Sequence, residues 1–254
     1  MMMALIREVS SAIDRCELTH LAREPIDLTL ARAQHEAYGR CLTEAGCRVQ
    51  CLASGPDMPD SVFIEDIAIV FDEMAVMTRP GAASRRLETS GVAEALGKYR
   101  QLHAIEDPGT LDGGDVLVVG RRVFVGRSRR TNEAGIDQLC GLLAAHGYDV
   151  VPVEVRGCLH LKSAVTRLDD DLLLINRAWL PAEPFSAFEA IDVHPREPGA
   201  ANALRVGGRI VYSSGFPRTL ERLERRGLSV RTVDASEVAK AEGAVTCCSL
   251  IFSA

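Results

Sequence analysis

Residues 65–81, EDIAIVFDEMAVMTRPG, alternate between apolar and polar, turn at Asp72–Glu73 and alternate again. The pattern recurs at 113–128 with a turn at Gly120–Arg121, at 160–176 with a turn at Asp169–Asp171, and at 201–215 with a turn at Gly207–Gly208. Period-two alternation broken by a short polar turn is the signature of a β-hairpin. Helical spacing follows at 84–97 (Leu87, Val92, Ala93, Leu96), 132–146 (Ile136, Leu139, Leu142, Leu143) and 216–226 (Leu220, Leu223), and less clearly near 180–190. A short strand closes most units, at 102–105, 149–153 and 228–233. The unit is β-β-α-β. The N-terminal ALIREV, a helix over 27–45, the strand RVQCL and the C-terminal VTCCSLIF supply a fifth between them. With no linker or low-complexity stretch, the expectation is a single catalytic α/β domain over 1–254, a five-unit propeller with cyclic pseudo-symmetry. An open doubly wound sheet is the rival. Hairpins argue against it, because parallel βαβ units need crossovers instead.

Composition narrows the function classes. The chain of 254 residues is 47% apolar and 25% charged, with a formal net charge of −6. A nucleic-acid binder usually carries a basic excess, so none is expected as a partner. The arginine pairs Arg85–Arg86, Arg129–Arg130 and Arg225–Arg226 read first as solvated helix faces. No apolar run is long enough to span a bilayer, and MMMALIREVSS lacks the apolar core of a signal peptide. The expected location is the cytoplasm, where thiols stay reduced. The eight cysteines are therefore not read as a disulfide framework, and adjacent Cys247 and Cys248 could bridge each other only with strain. Cys16, Cys41, Cys47, Cys51 and Cys140 read as small hydrophobes. His20, His35, His103, His146 and His194 show no partner pattern.

The repeat has a chemical consequence. A polar residue opens each hairpin: Asp66, Asp112, His160, Asn202 and Cys247, at nearly even intervals. In a cyclic arrangement equivalent positions meet near the axis, so these five are expected to share one pocket. A thiol needs a base or a positive field to become a thiolate, and an imidazole needs a carboxylate to fix its tautomer. Against this, a lone histidine in CLHLKS is ordinarily a packed or surface residue. Cys158, His160, Cys247 and Cys248 could also form a zinc set, although C-x-H and C-C lack the usual spacing. Read as a strand, the C-terminal segment puts Cys248 on the opposite face from Cys247, which separates them from a common metal.

The motifs PDSVFIEDIAIV, TRPGAASRR, GTLDGGDVLVVG, RRTNEAG, LHLKS, AAN and VTCCSL together resemble the dimethylarginine dimethylaminohydrolases, a branch of the guanidino-modifying (pentein) superfamily. The resemblance runs nearly the whole chain in order. It implies the five-unit propeller and hydrolysis of free Nω-methylated arginines to citrulline and a methylamine through a covalent cysteine thiouronium. It implies no cofactor and no resident metal, a small-molecule substrate as partner, no membrane, and a monomer or homodimer. By the same resemblance Cys247 is the nucleophile, His160 the acid and base, and Asp112 the residue that orients His160. Glu65 and Asp66 hold the guanidinium, Asp60 is a further substrate-binding acid, and Arg85 and Arg130 grip the α-carboxylate. Leu18 corresponds to a lid residue by spacing to QHEAY, and Ala241 to a backbone substrate contact.

Three alternatives stand beside this reading. An arginine or agmatine deiminase would release ammonia, but agmatine has no carboxylate for Arg85 and Arg130. A non-catalytic arginine-binding protein would need no nucleophile. A zinc-binding protein would use the Cys and His set above.

Overall fold

The computed structural model describes all residues 1–254. The strands form five three-stranded sheets, and each has a middle strand paired antiparallel on one side and parallel on the other. One sheet joins the chain ends. Strand β1 (Met2–Arg7) pairs antiparallel with β15 (Leu250–Ser253) and parallel with β2 (Arg48–Leu52). The second holds β3 (Ala68–Val70), β4 (Met74–Met77) and β5 (Gln101–Ala104), and the third β6 (Val116–Val119), β7 (Arg122–Arg127) and β8 (Asp149–Glu154). The fourth holds β9 (Val165–Arg167), β10 (Leu172–Ile175) and β11 (Glu189–Asp192), and the fifth β12 (Ala203–Val206), β13 (Arg209–Ser213) and β14 (Val230–Val233). This is the five-unit α/β propeller, and the expected hairpin turns fall where the alternation breaks. Gly120 and Gly207 adopt φ of 59° and 58° there, a conformation that glycine reaches without a Cβ clash.

The parallel partner of each unit is reached through a connection on the outside. Helix α1 (Leu28–Glu44) starts where the Asp27 side chain accepts the Leu30 N–H, and it buries Ala31, Gln34, His35, Tyr38 and Leu42 on one stripe. The stretch expected as one helix over 84–97 is a 3₁₀ segment, Ala83–Glu88, running into α2 (Thr89–Leu96). Helix α3 (Glu133–Ala144) is capped by Asn132, whose side chain accepts the Gly135 N–H. Two single turns, α4 (Leu161–Ala164) and α6 (Ser236–Ala239), flank α5 (Pro217–Arg225). The weak helical signal near 180–190 yields only a 3₁₀ turn, Glu183–Phe185, within the Pro- and aromatic-containing PAEPF. No helix is long and apolar enough to cross a membrane.

The strands β3, β6, β9, β12 and β15 are the inner ones. Adjacent members touch (β15 with β3, β6 with β9, β9 with β12), and together they line an axial channel of about 620 Å³. The apolar core is divided into five clusters between neighbouring units and their covering helices, so no single core sits on the axis. Immediately before an inner strand the chain makes a short helical turn: Ile64–Ile67 before β3, Gly113–Asp115 before β6, and α4 before β9. The polar residues expected to open the hairpins therefore sit in or beside these turns, not on the strands. The C-terminal segment behaves likewise. Residues 245–248 form turns and β15 begins only at Leu250. Cys248 still points away from Cys247, into the cluster beneath α1, but through a turn and not through the strand alternation expected.

Helix α1 anchors that turn. The buried Tyr38 hydroxyl lies 2.8 Å from the Val245 carbonyl, to which it donates, and 2.7 Å from Ser249 Oγ. Tyr38→Phe leaves both partners desolvated without the hydroxyl. It is expected to cost about 1–3 kcal/mol of stability, read by urea unfolding at constant slope.

Candidate active site

The turns before the inner strands converge on a small cavity at one end of the axis. It is lined by Asp60, Asp66, Arg85, Asp112, Arg130, His160, Ala241 and Cys247, together with Glu17, Phe63, Leu159, Glu242 and Gly243. Eight of the ten residues singled out by the resemblance are brought together there. The other two lie elsewhere. The Leu18 side chain packs half-buried against the cluster beneath α1, and its neighbour Glu17 lines the cavity instead. The Glu65 carboxylate faces the axial channel. Glu65 and Asp66 are adjacent in a 3₁₀ turn, where consecutive side chains diverge by about a third of a revolution, so they part company around the axis. Asn202 is also absent from the cavity wall. Its amide is used behind the turn that carries Cys247, donating to Thr246 Oγ1 at 2.9 Å and accepting the Thr246 N–H at 3.0 Å.

Glu65 forms a plug between cavity and channel. Its Oε1 lies 2.6 Å from Lys162 Nζ, and its Oε2 accepts from Thr246 Oγ1 at 2.7 Å. Lys162 stands in the LHLKS motif, yet nothing in the local pattern marked it as a partner for a residue so far away in the chain.

Asp66 is the busiest group. One oxygen accepts from Arg85 Nη1 at 2.5 Å, the other from the Gly114 N–H at 3.0 Å, and His160 Nδ1 stands 3.8 Å away. Arg85 is 4% exposed, against the solvated face expected for SRR. Its guanidinium also meets Glu88 at 3.0 Å and the carbonyls of Phe63 and Asp60. A buried cation survives only when paired and hydrogen-bonded in this way. Arg130 is less committed, with one side-chain bond to Thr19 Oγ1 at 3.2 Å.

His160 occupies the N-cap position of α4 without a side-chain capping bond, and its Nε2 lies 3.1 Å from Asp112 Oδ2. Asp112 is itself fixed, since its other oxygen accepts the Gly81 N–H at 2.9 Å. Behind the ring, Asp115 accepts from Ser128 Oγ, Thr131 Oγ1 and the Leu161 N–H at 2.6, 2.7 and 2.9 Å. Burial favours the neutral imidazole, but Asp66, the hydrogen bond to Asp112 and the charge of Asp115 outweigh it, and the ring is raised to about 9. Burial raises Asp60 to about 6 despite Arg85. Burial, then the charges of Glu65 and Asp66, push the Cys247 thiol well above its ordinary value, so the thiol and the His160 ring are both biased toward their protonated forms.

Two glycines make this packing feasible. A Cβ on Gly114 would stand 2.6 Å from His160 Nδ1 and 2.7 Å from Asp66 Oδ1, and one on Gly113 2.0 Å from the Glu65 carbonyl. The zinc set weighed from the sequence does not assemble. The grouping of potential ligands that does converge is Asp66, Asp112 and His160, with atoms within 4.8 Å of one another, while Cys248 turns into the core.

A family model described as N,N dimethylarginine dimethylhydrolase, eukaryotic, matches residues 5–177. The N(G),N(G)-dimethylarginine dimethylaminohydrolase of Streptomyces coelicolor is 42% identical over 97% of this chain and 95% of its own. The enzyme of the same description from Pseudomonas aeruginosa is 36% identical over 95% of each chain. The solved structure of a cysteine-to-serine mutant of the Pseudomonas aeruginosa protein, complexed with citrulline, superposes with a TM-score of 0.93 at 34% identity, covering 98% of both chains. A histidine-to-glycine dimethylarginine dimethylaminohydrolase bearing an S-methyl-L-thiocitrulline adduct superposes with a TM-score of 0.94 at 34% identity, over 99% of this chain and 100% of that one.

Two outcomes are expected from the geometry. Gly114→Ala should displace the His160 ring and Asp66 and lower activity by about 100-fold or more, since misplacement near 1 Å is worth that much; a near-normal rate would mean the ring relaxes freely. A raised histidine contributes stability that is complete below its unfolded value near 6.5 and is lost as pH rises through about 9. Asp112→Asn should move that loss, and the NMR titration of His160, to lower pH. From the features above, the chain belongs to the dimethylarginine dimethylaminohydrolase family.

Proposed function

We propose that the whole chain acts as one catalytic unit that hydrolyses free Nω-methylated arginine to citrulline and a methylamine, with Cys247 as nucleophile. The observation that carries the reading is the single cavity shared by a thiol, an imidazole–carboxylate pair and further buried carboxylates. The relatives solved with citrulline and with a thiocitrulline adduct support the same chemistry.

The charge balance supplies the mechanism. Cys247 is held as a thiol by burial beside Glu65 and Asp66. A guanidinium entering the cavity brings the missing positive charge. A carboxylate offers about four acceptor sites, so Asp66 keeps capacity for the substrate after Arg85 and Gly114 are served. The bound cation then favours the thiolate, and the thiol proton leaves to water. The thiolate attacks the guanidinium carbon. His160, already protonated, gives its proton to the departing dimethylamine. The neutral ring then takes a proton from the water that attacks the thiouronium, releasing citrulline and the thiolate. Asp112 holds the ring through both proton transfers.

Specificity for an amino acid rests on Arg130, because Arg85 is largely consumed by Asp66, Glu88 and two carbonyls. Arg85 then serves chiefly to fix Asp66, with its remaining Nη1 hydrogen available to a carboxylate. Ala241 and Glu17 complete the wall, with Asp60 on the same cavity.

The experiment is a citrulline and amine assay with asymmetric dimethylarginine, monomethylarginine, arginine and agmatine. Cys247→Ser should abolish turnover and retain binding, and Cys248→Ser should keep most activity; reversed phenotypes would mean the wrong thiol has been assigned. Agmatine, lacking the carboxylate, should be poorer by about 100-fold or more in kcat/KM, a loss of one charge-assisted contact or two. Arg130→Ala should depress dimethylarginine strongly and agmatine little. Comparable wild-type rates on the two substrates would overturn the carboxylate grip.

A further inference from the structure

The segment that covers the cavity is held by a residue outside the reacting set. Thr19 N–H donates to Glu242 Oε2 at 3.0 Å, Leu21 N–H to Oε1 at 2.6 Å, and His20 N–H donates to the same Oε1. Three successive amides thus converge on one carboxylate, which makes each bond charge-assisted. Glu242 is also the only non-glycine residue in the chain with φ in the left-handed region, at 59°. That conformation is disfavoured for a non-glycine side chain and persists only where surrounding contacts impose it. The next residue shows why the turn cannot relax. A Cβ on Gly243 would stand 2.1 Å from the Phe63 ring, so the turn is clamped against the cavity wall just ahead of Cys247.

The covering segment has further attachments on either side, and Arg23 donates to the Cys16 carbonyl at 2.6 Å. Glu17 N–H donates to Asp60 at 3.1 Å, Ser84 Oγ to Glu17 at 2.6 Å, and Arg130 to Thr19 Oγ1 at 3.2 Å. His20, Leu21, Ala22 and Arg23 are exposed. Beneath this cover the cavity leaves about 20 Å³ free, room for about one water. An arginine-sized amino acid does not fit that space. The other end of the axis is closed to it by Glu65, Lys162 and Thr246. The cover must therefore move for substrate to enter, and the bonds to Glu242 are the ones that hold its outer half.

We propose that Glu242 is a positioning residue: its carboxylate, presented by a strained left-handed turn, latches the backbone of residues 19–21 and so holds Glu17 over the cavity. This rests on reading the cavity as the substrate site. The latch is engaged in the closed state and released for entry and exit. Removing it leaves the reacting groups in place and shifts the cover toward open, so that substrate binding must drive closure. The effect belongs in KM more than in kcat.

The test uses the full chain with Glu242→Gly and Glu242→Gln, reading amide hydrogen exchange without substrate, thermal melting and steady-state kinetics. Glycine relieves the left-handed strain and removes the carboxylate. The expected result is a melting temperature close to wild type, exchange at Thr19, His20 and Leu21 faster by about 10-fold or more, and KM for dimethylarginine raised about 10-fold with kcat changed less than about threefold. Glu242→Gln, whose amide oxygen still accepts, should fall between. Unchanged exchange at 19–21 in Glu242→Gly would overturn the latch. So would faster exchange spread over the whole chain with a lowered melting temperature, since Glu242 would then act only on the fold. The exchange measurement needs no turnover, so a chain that failed to hydrolyse methylarginine would still show or lack the latch.

Discussion

The carboxylate of Asp66 has to be paired, because it lies almost fully buried where a lone charge is intolerable. Its partners come from three neighbouring parts of the propeller. Arg85 comes from the 3₁₀ segment after β4, the Gly114 amide from the turn before β6, and the His160 ring from the turn before β9. Satisfying one charge therefore aligns consecutive units around the axis. Replacing such a pair by apolar groups is often neutral for stability, whereas removing one partner is costly. The buried cluster is best understood as a device for geometry, set among five apolar clusters that supply the stability.

The same cluster is unbalanced on purpose of its chemistry. Glu65, Asp66, Asp112 and Asp115 surround a site whose cations are Arg85, Arg130 and Lys162, and the remaining negative potential is answered by protonating His160. Burial first, and then the same negative potential, suppresses the thiolate of Cys247. Under the proposed mechanism, this environment keeps His160 loaded and Cys247 quiet until a cation arrives. A guanidinium is the complement of that field, and a neutral amide is not.

Access follows from the architecture. On one side the axis is a wide channel, stopped by Glu65, Lys162 and Thr246, with Asn202 bracing Thr246 from behind. On the other side the only cover is a segment tied by backbone amides and side-chain contacts near the surface. The plug is desolvated and the cover is largely exposed, so the cover is the end with the lower free energy of opening.

Much of this was legible along the chain. The hairpin alternation, the turn at Gly207–Gly208, the cap at Asp27 and the nearly even spacing of Asp66, Asp112, His160, Asn202 and Cys247 depend on neighbours a few residues apart or on a repeat, and both are written in the order of residues. The short turns before the inner strands were hidden, since three or four residues carry no periodicity. What the tertiary structure alone decided is the direction and company of each side chain at the axis. Glu65 and Asp66 look alike in sequence, yet one plugs the channel and the other faces the thiol. Arg85 reads as a solvated arginine and is buried, because Asp66 arrives from another segment to pair it, beside Glu88 of its own 3₁₀ turn. Glu242 reads as an ordinary acidic residue, and only the meeting of the chain's two ends sets its carboxylate beneath the amides of residues 19–21. Local pattern specifies which elements form. Where five of them meet, burial, charge pairing and sterics among distant residues choose the outcome.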